Sequence, residues 1–435
     1  MSTDHLARLL EEERAEPLTW RDKAVQPAWY GRSVDEALTL TPALETLSTP
    51  MLTLDRSALD HNLHAMKDWC EAAGVSLAPH GKTTMAPALW REQLEAGAWA
   101  ITVANEPQLR VARGAGVPRV VLANLLIRRE ALVWLGRELD ADEDFTVICW
   151  VDSLDAVRTM DEALTGAGVR RRVPVLVEVG APGARTGVRD RAQALEVARA
   201  VVAARGLELA GVAGYEGSVA HGTGDAALAA ITAYLSGLVD VHRALLDDYE
   251  VAEPLLSAGG SAYPDLVRAV LAPEGRSETP RRPRVLLRSG AYLVHDDGYY
   301  RAVGPDSRGT GPRLRSAMHA WGRVLSVPEP GRAYLDVGRR DVPFDQGLPV
   351  PQQLRRRATS GEVATMVLEG HDVIALDDQH AHVRLPAGSP VRVGDVLRLG
   401  LSHPCTAFDK WSLIPIIDDA AADSPVVVDL VRCHF

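Results

Sequence analysis

Between residues 75 and 288 the sequence alternates short apolar runs with longer runs of helical periodicity, and this alternation constrains the fold most. The helical runs include the alanine-rich segments Ala86–Ala96, Asp190–Ala204 and Ala226–Leu246. Apolar strands that alternate with helices predict a parallel sheet buried on both faces. Eight strands would close a (β/α)8 barrel, and we predict eight: Val75–Pro79, Trp99–Ala104, Arg119–Asn124, Phe145–Asp152, Val173–Val179, Leu207–Tyr215, Pro254–Ser257 and Arg284–Arg288.

The pattern changes after about residue 315. Short strand-like runs are separated there by Gly, Pro and Asp, without long helical segments, which favours a β-rich second domain. These runs are Ala333–Val337, Val373–Leu376, Ala381–Leu385, Val396–Leu399 and Val426–Leu430. We therefore expect an α/β protein with three parts: an N-terminal extension (1–48), a barrel (49–315) and a β-rich domain (316–435).

Composition excludes several classes of function. The formal net charge of −11, from 47 basic and 58 acidic residues, argues against binding to nucleic acid or to an anionic membrane. No run of 18 apolar residues is present, and the N-terminus is too charged for a signal peptide. Four scattered cysteines do not make a disulfide framework. We expect a cytoplasmic protein.

Lysine is rare in this chain. Only four of the 47 basic residues are lysines: Lys23, Lys67, Lys82 and Lys410. Arginine cannot form a Schiff base or lose its proton near neutral pH, so a lysine retained against this bias is a candidate for chemistry. Lys82 lies in the segment PHGKTT, directly after the first barrel strand, where active sites of such barrels are found. The alternative is a solvated loop lysine.

Polar and glycine-rich segments follow four other barrel strands. Arg185 stands between glycines, where its guanidinium can bind an anionic oxygen, or lie on the surface. Tyr215 follows the sixth strand. The loops Ser257–Ser261 and Arg288–Tyr292 follow strands seven and eight, and glycine turns there present backbone N–H groups to a phosphate in many barrels. Together with Lys82 they predict a phosphorylated aldehyde cofactor.

The second domain contains a candidate metal pair. In extended backbone, residues i and i+2 point to one face, so His403 and Cys405 would present an imidazole and a thiol together. This pair suits zinc and leaves room for water and substrate. The alternative is a loop histidine beside a buried thiol. His380 and His382 alternate with apolar residues, as on a half-exposed strand, and would at most line a site.

Several of these segments resemble, in order, the D-serine dehydratase and D-threonine aldolase family. These are pyridoxal 5′-phosphate (PLP) enzymes of the alanine racemase-like fold, type III. The resemblance covers about residues 49–435. It rests on Thr49–Asp55, Asn62, PHGKTT, Gly183–Val188, Tyr215–Gly217, Ser257–Ser261, Gly290–Tyr292 and His403–Cys405.

The resemblance implies a role for each matching residue. Lys82 would bind PLP covalently and act in catalysis, and Arg185 would contact the phenolic oxygen of PLP. Ser257, Gly259, Gly260, Gly290 and Ala291 match positions of the phosphate loops, and His403 and Cys405 match ligands of a divalent metal, usually zinc. Arg288 stands where alanine racemases place an arginine against the pyridine nitrogen. His80, Tyr215 and Tyr292 complete the expected cofactor contacts.

The expected activity is elimination of the β-hydroxyl of a D-β-hydroxy amino acid, giving a 2-oxo acid and ammonia. The stretch His403–Trp411 resembles the D-serine dehydratase, or amino acid deaminase, subgroup. The alternatives are retro-aldol cleavage to glycine and an aldehyde, and a non-catalytic PLP-binding protein. A racemase would leave the metal pair without a role. Family members of this kind are homodimers, so we expect one here.

Overall fold

The computed structural model describes residues 3–279 and 281–435. All eight predicted barrel strands are present. Strand β1 (Met51–Asp55) precedes them, and the barrel strands follow as β2 Ser76–Leu77, β3 Ile101–Val103, β4 Arg119–Leu125, β5 Thr146–Val151, β6 Val173–Val179, β7 Leu207–Gly214, β8 Leu255–Ala258 and β9 Arg284–Leu287. They form one parallel sheet in the order β2-β9-β8-β7-β6-β5-β4-β3.

The sheet closes between its two end strands. The Trp99 N–H donates to the Leu77 carbonyl (2.7 Å), and the Thr102 N–H donates to the Pro79 carbonyl (2.9 Å). These bonds link β2 and β3, so the sheet forms the predicted eight-stranded barrel.

The helices that follow the barrel strands begin at polar capping residues. The side chains of Asn105, Ser153 and Asp190 each accept a hydrogen bond from a backbone N–H in the first turn of the next helix. Such caps satisfy donors that have no partner within the helix. The helices are α1 Thr3–Ala15, α2 Val34–Leu38, α3 Arg56–Ala73, α4 Pro87–Glu95, α5 Glu106–Gly114, α6 Arg129–Ala141, α7 Leu154–Gly166, α8 Arg191–Ala203, α9 Asp225–Ala244, α10 Pro264–Leu271, α11 Tyr299–Val303 and α12 Cys405–Phe408.

The second domain is a ten-stranded, mostly antiparallel sheet. Besides β1 it contains β10 Met318–Glu329, β11 Arg332–Leu335, β12 Val350–Arg357, β13 Val363–Val367, β14 Asp372–Leu376, β15 Ala381–Arg384, β16 Val396–Gly400, β17 Leu413–Ile417 and β18 Val427–Arg432. The β-rich domain is therefore present, and each of the five strand-like runs corresponds to a strand.

Strand β1 lies in this second sheet, although we placed the barrel from residue 49. It pairs antiparallel with β10 and parallel with β17. All five of its residues are buried, so its apolar sequence does not distinguish it from a barrel strand. The barrel part of the chain begins with α3, and β1 ties its start to the second domain.

The N-terminal extension packs on the second domain and on the barrel. Leu10, Leu18 and Trp29 are buried. Arg14 pairs with Asp429, and Lys23 pairs with Asp341 at 3.1 Å. The extension is thus an integral part of the fold. In the part of the chain that the structure describes, no helix is both long and apolar enough to cross a membrane.

Candidate active site

A cavity of about 480 Å³ lies at the C-terminal ends of the barrel strands. Residues from both domains line it. The predicted residues that the structure brings together there are His80, Lys82, Arg185, Tyr215, Gly259, Gly260, Arg288, Gly290, Ala291, His403 and Cys405. Two predicted residues, Ser257 and Tyr292, lie behind the wall. The Ser257 hydroxyl donates to the Leu286 carbonyl (3.0 Å), and the Tyr292 hydroxyl accepts from Gln93 Nε2 (3.1 Å).

Lys82 lies in a short 3-10 turn, Gly81–Thr83, between β2 and α4. A Cβ atom on Gly81 would lie 2.8 Å from Ile101 Cγ2 and 2.9 Å from the Trp90 ring, so only glycine allows this turn to pack so closely. Burial lowers the pKa of the Lys82 amine, and the guanidinium groups of Arg185 and Arg288 lower it further; Cys405 acts in the opposite direction. The neutral, nucleophilic amine is therefore easier to form than in a free lysine.

The other three lysines do not line this cavity. Lys23 pairs with Asp341, Lys67 is 4.0 Å from Glu71 on α3, and Lys410 is 3.4 Å from Asp409. Of the four lysines, Lys82 is therefore the one that can react with a ligand in the cavity.

The lowered pKa of Lys82 predicts how covalent attachment depends on pH. The neutral amine attacks an aldehyde, so the rate of attachment of PLP at Lys82 should rise with pH and reach half its maximum below 10.5, the ordinary lysine pKa. Borohydride trapping of PLP on cofactor-free protein across a pH series measures this rate, with a free lysine derivative as the control. Identical midpoints for protein and control would contradict the prediction.

Arg185 is held by a loop that two glycines shape. Gly183 and Gly187 have φ values of 74° and 100°, in the left-handed region that favours glycine. The Gly187 N–H donates to Asp152 Oδ2 (3.0 Å). The loop places the Arg185 guanidinium 4.5 Å from the centre of the Tyr215 ring. Burial raises the pKa of Tyr215 to about 12, so its hydroxyl stays protonated.

Arg288 is buried and anchored below the cavity. Its guanidinium donates to the Ser257 hydroxyl and to the Gly214 carbonyl (2.6 Å). Burial lowers its pKa, while Glu216 and Glu178 act in the opposite direction. Arg288 thus carries a fixed positive charge to the base of the site.

Three N–H groups of the glycine-rich loops, which we expected to face a phosphate, donate to side chains of the protein instead. The N–H groups of Gly259 and Gly260 donate to the carboxylate of Glu216, at 2.9 and 2.7 Å. The Ala291 N–H donates to Ser261 Oγ (3.1 Å). Sequence reasoning missed Glu216, although it directly follows Tyr215. Its buried carboxylate holds the loop after β8 in place.

Two polar atoms in the cavity wall have no hydrogen-bond partner among the described residues. They are Nδ1 of His80 and Oε2 of Glu178, both buried. Burial lowers the pKa of His80 well below its usual value, and Lys82, Arg288 and Arg185 act in the same direction, so the imidazole is neutral. Burial also raises the pKa of Glu178. Glu178 was missed, although a glutamate inside the apolar run VPVLVEV is a signal for a functional position. Unpaired buried groups of this kind call for a bound polar ligand.

The metal pair is brought to Lys82 by the second domain. Cys405 Sγ lies 3.3 Å from Thr83 Oγ1, next to Lys82. The extended backbone that we assumed for His403–Cys405 is wrong: His403 has a φ of 60°, and Cys405 begins helix α12. Asp296 Oδ2 accepts from the His403 N–H (2.8 Å), which supports this turn.

The His403 imidazole is oriented by a carboxylate. Its Nδ1 lies 2.5 Å from Asp345 Oδ2, and Thr406 donates to the other oxygen of Asp345 at 2.6 Å. The hydrogen bond with Cys405 raises the pKa of His403 to about 9; burial opposes this increase and Asp345 adds to it. A carboxylate on one ring nitrogen is the usual support for a histidine that binds metal through the other. Nothing in the sequence around Asp345 pointed to this role.

The described residues form no group of three or more His, Cys, Asp or Glu side chains that could hold a metal ion. His403 and Cys405 both line the cavity, and their role as metal ligands stays a prediction. His380 and His382 do not line the cavity. His382 pairs instead with Asp377 at 2.8 Å on the surface of the second sheet.

The chain is similar in sequence and in fold to several aldolases and dehydratases. Residues 317–417 match the model of the putative serine dehydratase domain. A D-threonine aldolase of Arthrobacter sp. is 26% identical over 384 residues, covering 87% of this chain and 92% of its own length.

Solved structures extend the likeness over both domains. D-threonine aldolase from Filomicrobium marinum superimposes with a TM-score of 0.74 at 23% identity, covering 90% of this chain and 96% of its own. D-threo-3-hydroxyaspartate dehydratase from Delftia sp. HT23 gives a TM-score of 0.68 at 20% identity, covering 90% and 99%.

The barrel, the β-rich domain and the lysine-centred cavity define an enzyme of the alanine racemase-like fold, so the predicted fold class is confirmed. The predicted lyase class is confirmed by the aldolase and dehydratase relatives. The predicted resemblance to the D-serine dehydratase and D-threonine aldolase family is confirmed by the matching domain model and by these relatives.

Proposed function

We propose that this protein removes the β-hydroxyl of a D-β-hydroxy amino acid, such as D-serine or D-threonine, and releases a 2-oxo acid and ammonia. One observation carries the proposal: Lys82 from the barrel and the His403–Cys405 pair from the second domain face the same cavity, linked by the 3.3 Å contact between Thr83 and Cys405. This arrangement supports a proposed base for the α-proton next to a proposed site for a Lewis acid.

The residues of the cavity fit PLP. The guanidinium groups of Arg185 and Arg288 line it and can balance an anionic cofactor. The unpaired His80 Nδ1 and Glu178 Oε2 are available to polar atoms of the ligand. When bound, PLP would supply an electron sink for the carbanion at Cα.

Lys82 is the proposed catalytic base. Burial lowers its pKa, so the amine can accept a proton at moderate pH. His80 is uncharged and buried beside it, and Arg185 and Arg288 supply positive charge, which favours binding of the substrate carboxylate or the cofactor phosphate.

His403 and Cys405 fit a divalent metal, because they offer nitrogen and sulfur ligands and His403 is oriented by Asp345. A zinc ion held there would supply a Lewis acid that assists departure of the β-hydroxyl. The pair lies beside the barrel turn that carries Lys82, since Cys405 contacts Thr83.

Replacing Asp345 by Asn should weaken metal binding by about 10–100-fold, because the amide no longer anchors His403 Nδ1 as an anion. Competition with a zinc-binding dye measures the affinity. Trapping of PLP on Lys82 serves as the control and should be unchanged. Equal zinc affinity in the variant and the native protein would show that Asp345 does not support the metal pair.

Retro-aldol cleavage is the second candidate, and the D-threonine aldolase relative favours it. In that reaction a base takes the proton of the β-hydroxyl, and the Cα–Cβ bond breaks. The same cavity and metal pair would serve both reactions. Removal of the α-proton leads to elimination of the β-hydroxyl, whereas removal of the β-hydroxyl proton leads to cleavage of the Cα–Cβ bond.

Product identification separates the two reactions. The holoenzyme is incubated with D- and L-isomers of serine, threonine and 3-hydroxyaspartate, with and without a chelator. A 2-oxo acid with ammonia supports elimination, and glycine with an aldehyde supports retro-aldol cleavage. Equal turnover of the L-isomers, or no turnover of any isomer, would overturn the proposal.

We also propose a cytoplasmic homodimer in which each barrel mouth faces the second domain of the partner. Apolar side chains next to Asp345, namely Phe344, Leu348 and Val350, are 46, 38 and 49% exposed, which favours coverage by a second copy. The four cysteines are free, as in a reducing compartment. Sedimentation at working concentration tests the assembly. A fully active monomer would contradict it.

A further inference from the structure

A separate cavity of about 160 Å³ lies in the second domain, where its sheet meets the end of the N-terminal extension. Its walls are formed by segment 44–49, by residues of strands β1, β10, β12, β13 and β16, and by the loop before β16. Among the described residues, none lines both this cavity and the active-site cavity. We call it the arginine cavity, because Arg323, Arg355 and Arg357 line it.

The register of the sheet places the three arginines on one face. Arg323 on β10 and Arg355 on β12 both lie opposite Val396 of β16, the strand between them. Residues directly opposite one another in an antiparallel pair have their side chains on the same face. Arg357 lies two residues after Arg355 on β12, so its side chain is on this face as well. The sheet thereby gathers three guanidinium groups around one cavity.

Arg355 is the structural member of the three. Its side chain is only 3% exposed. Its Nε and Nη2 donate to Glu45 Oε1 at 3.0 and 2.5 Å, and Nη2 also donates to the Asp423 carbonyl at 2.7 Å. Glu45 balances its charge, so Arg355 holds the extension against the sheet and forms a wall of the cavity.

Arg323 and Arg357 are exposed, and neither guanidinium forms an ion pair with a described residue. The side chain of Arg323 makes one hydrogen bond, from Nη1 to the Gly394 carbonyl at 3.0 Å. The side chain of Arg357 makes none within the described part of the chain. Both groups therefore have N–H donors available to a ligand.

A second carboxylate, that of Asp336, lies near these arginines. Its oxygens accept from the Arg323 N–H (2.7 Å) and from the Thr49 hydroxyl (2.6 Å), and burial raises its pKa. With Asp336 and Glu45 both counted, three arginines stand against two carboxylates. The cavity is thus locally cationic in a chain whose net charge is −11, and a concave cationic space attracts an anion.

Apolar side chains lie beside the two available cations. Val396 lies opposite Arg323, and Val363 lies opposite Arg357. Both valines line the cavity and are half-buried, so part of their apolar surface is in contact with water. Below them the floor is formed by buried residues that include Trp321, whose Nε1 donates to Thr53 Oγ1 at 2.8 Å. A ligand with a short apolar chain would cover the exposed valine surface, which is favourable.

We propose that the arginine cavity binds a small organic carboxylate, with its oxygens on Arg323 and Arg357 and its apolar chain against Val363 and Val396. A planar guanidinium matches the geometry of a carboxylate, and two N–H donors can bind its two oxygens. Inorganic phosphate could meet the same cations but would leave the valines uncovered. This site is separate from the active site and does not depend on the proposed reaction.

Four probes test the chemical class of the ligand by calorimetry on the holoenzyme: butyrate, acetate, butyramide and inorganic phosphate. Butyrate should bind at least about tenfold more tightly than butyramide, which has the same shape without the charge. It should bind at least about threefold more tightly than acetate, which lacks two methylene groups. Phosphate should bind more weakly than butyrate. Affinity of acetate, butyramide or phosphate equal to that of butyrate would overturn the inference.

Substitution of the two exposed arginines tests the location. Arg323→Ala and Arg357→Ala should each weaken butyrate binding by at least about threefold, and the double variant by about tenfold or more, because each removes charged donors. Both side chains are exposed, so the fold should be retained. Arg158→Ala, which removes an exposed arginine paired with Asp155 on α7, takes away the same charge far along the chain and should leave the affinity unchanged.

The comparison of these variants decides the proposal. Butyrate that binds at the active site would contribute equally to all of them and would not produce the expected differences. Unchanged affinity in the double variant, or an equal loss in Arg158→Ala, would show that butyrate does not bind at Arg323 and Arg357.

Discussion

Replacing Lys82 by alanine should abolish covalent attachment of PLP and reduce kcat by more than about 10²–10⁴-fold, the usual contribution of a general base alone. The amine is the proposed attachment point of the cofactor as well as the proposed base, so both functions should be lost together. Borohydride reduction followed by peptide mapping measures the attachment. In the native protein the label should lie on the peptide that contains Lys82.

The other lysines provide matched controls for this experiment. Lys67→Ala removes an exposed ion pair with Glu71, and Lys23→Ala removes a half-exposed amine that pairs with the buried Asp341. Both amines lie outside the cavity, so both variants should keep the label and the activity. Lys410 lies only five residues after Cys405, one of the two proposed metal ligands. Of the three other lysines it is therefore the strongest competitor for the label. A label on Lys410 that persists in the Lys82 variant would show that the site has been assigned to the wrong lysine.

Removing the metal should stop the loss of the β-hydroxyl while PLP remains bound. Hydroxide is a poor leaving group, and losing a Lewis acid should cost several kcal/mol of barrier, about tenfold in rate for each ~1.4 kcal/mol. Exchange of the α-proton with solvent depends mainly on Lys82 and should survive in part. Proton exchange by NMR and product formation, followed in one sample with a chelator, separate the two steps.

Cys405→Ala should behave as chelation does, because a lone imidazole cannot retain a zinc ion against a competitor. Cys433→Ala is a suitable control: its thiol is also free but buried, and it does not line the cavity. Undiminished elimination in metal-free protein would remove the metal from the mechanism. His403 would then be a loop histidine held by Asp345, next to a partly buried thiol.

The barrel could be predicted from local sequence because each strand there is buried on both faces and each helix on one. Periodicity reports burial directly, so the eight strands lie within a few residues of their predicted positions. Lys82 and Arg185 could be placed for a related reason: residues that follow parallel strands meet at one edge of the sheet. These features are properties of short segments and of their order.

The periodicity of a strand's sequence does not show which other strand it pairs with. Strand β1 is as apolar as a barrel strand, yet it pairs with β10 and β17 in the other sheet. The same limitation applies to the glycine loops. Their composition is visible in the sequence, but the carboxylate of Glu216 that occupies the N–H groups of Gly259 and Gly260 is contributed by another loop.

Local sequence was enough to predict an eight-stranded barrel followed by a β-rich domain, and to predict which short segments carry reactive side chains. How these segments meet became visible only in the folded chain. Thr83 and Cys405 are in contact although 322 residues separate them, and Asp345 and Asp296 support His403 from two further loops. Such contacts depend on how two domains pack, and the hydrogen-bonding preferences of a short segment do not specify which distant partner satisfies them.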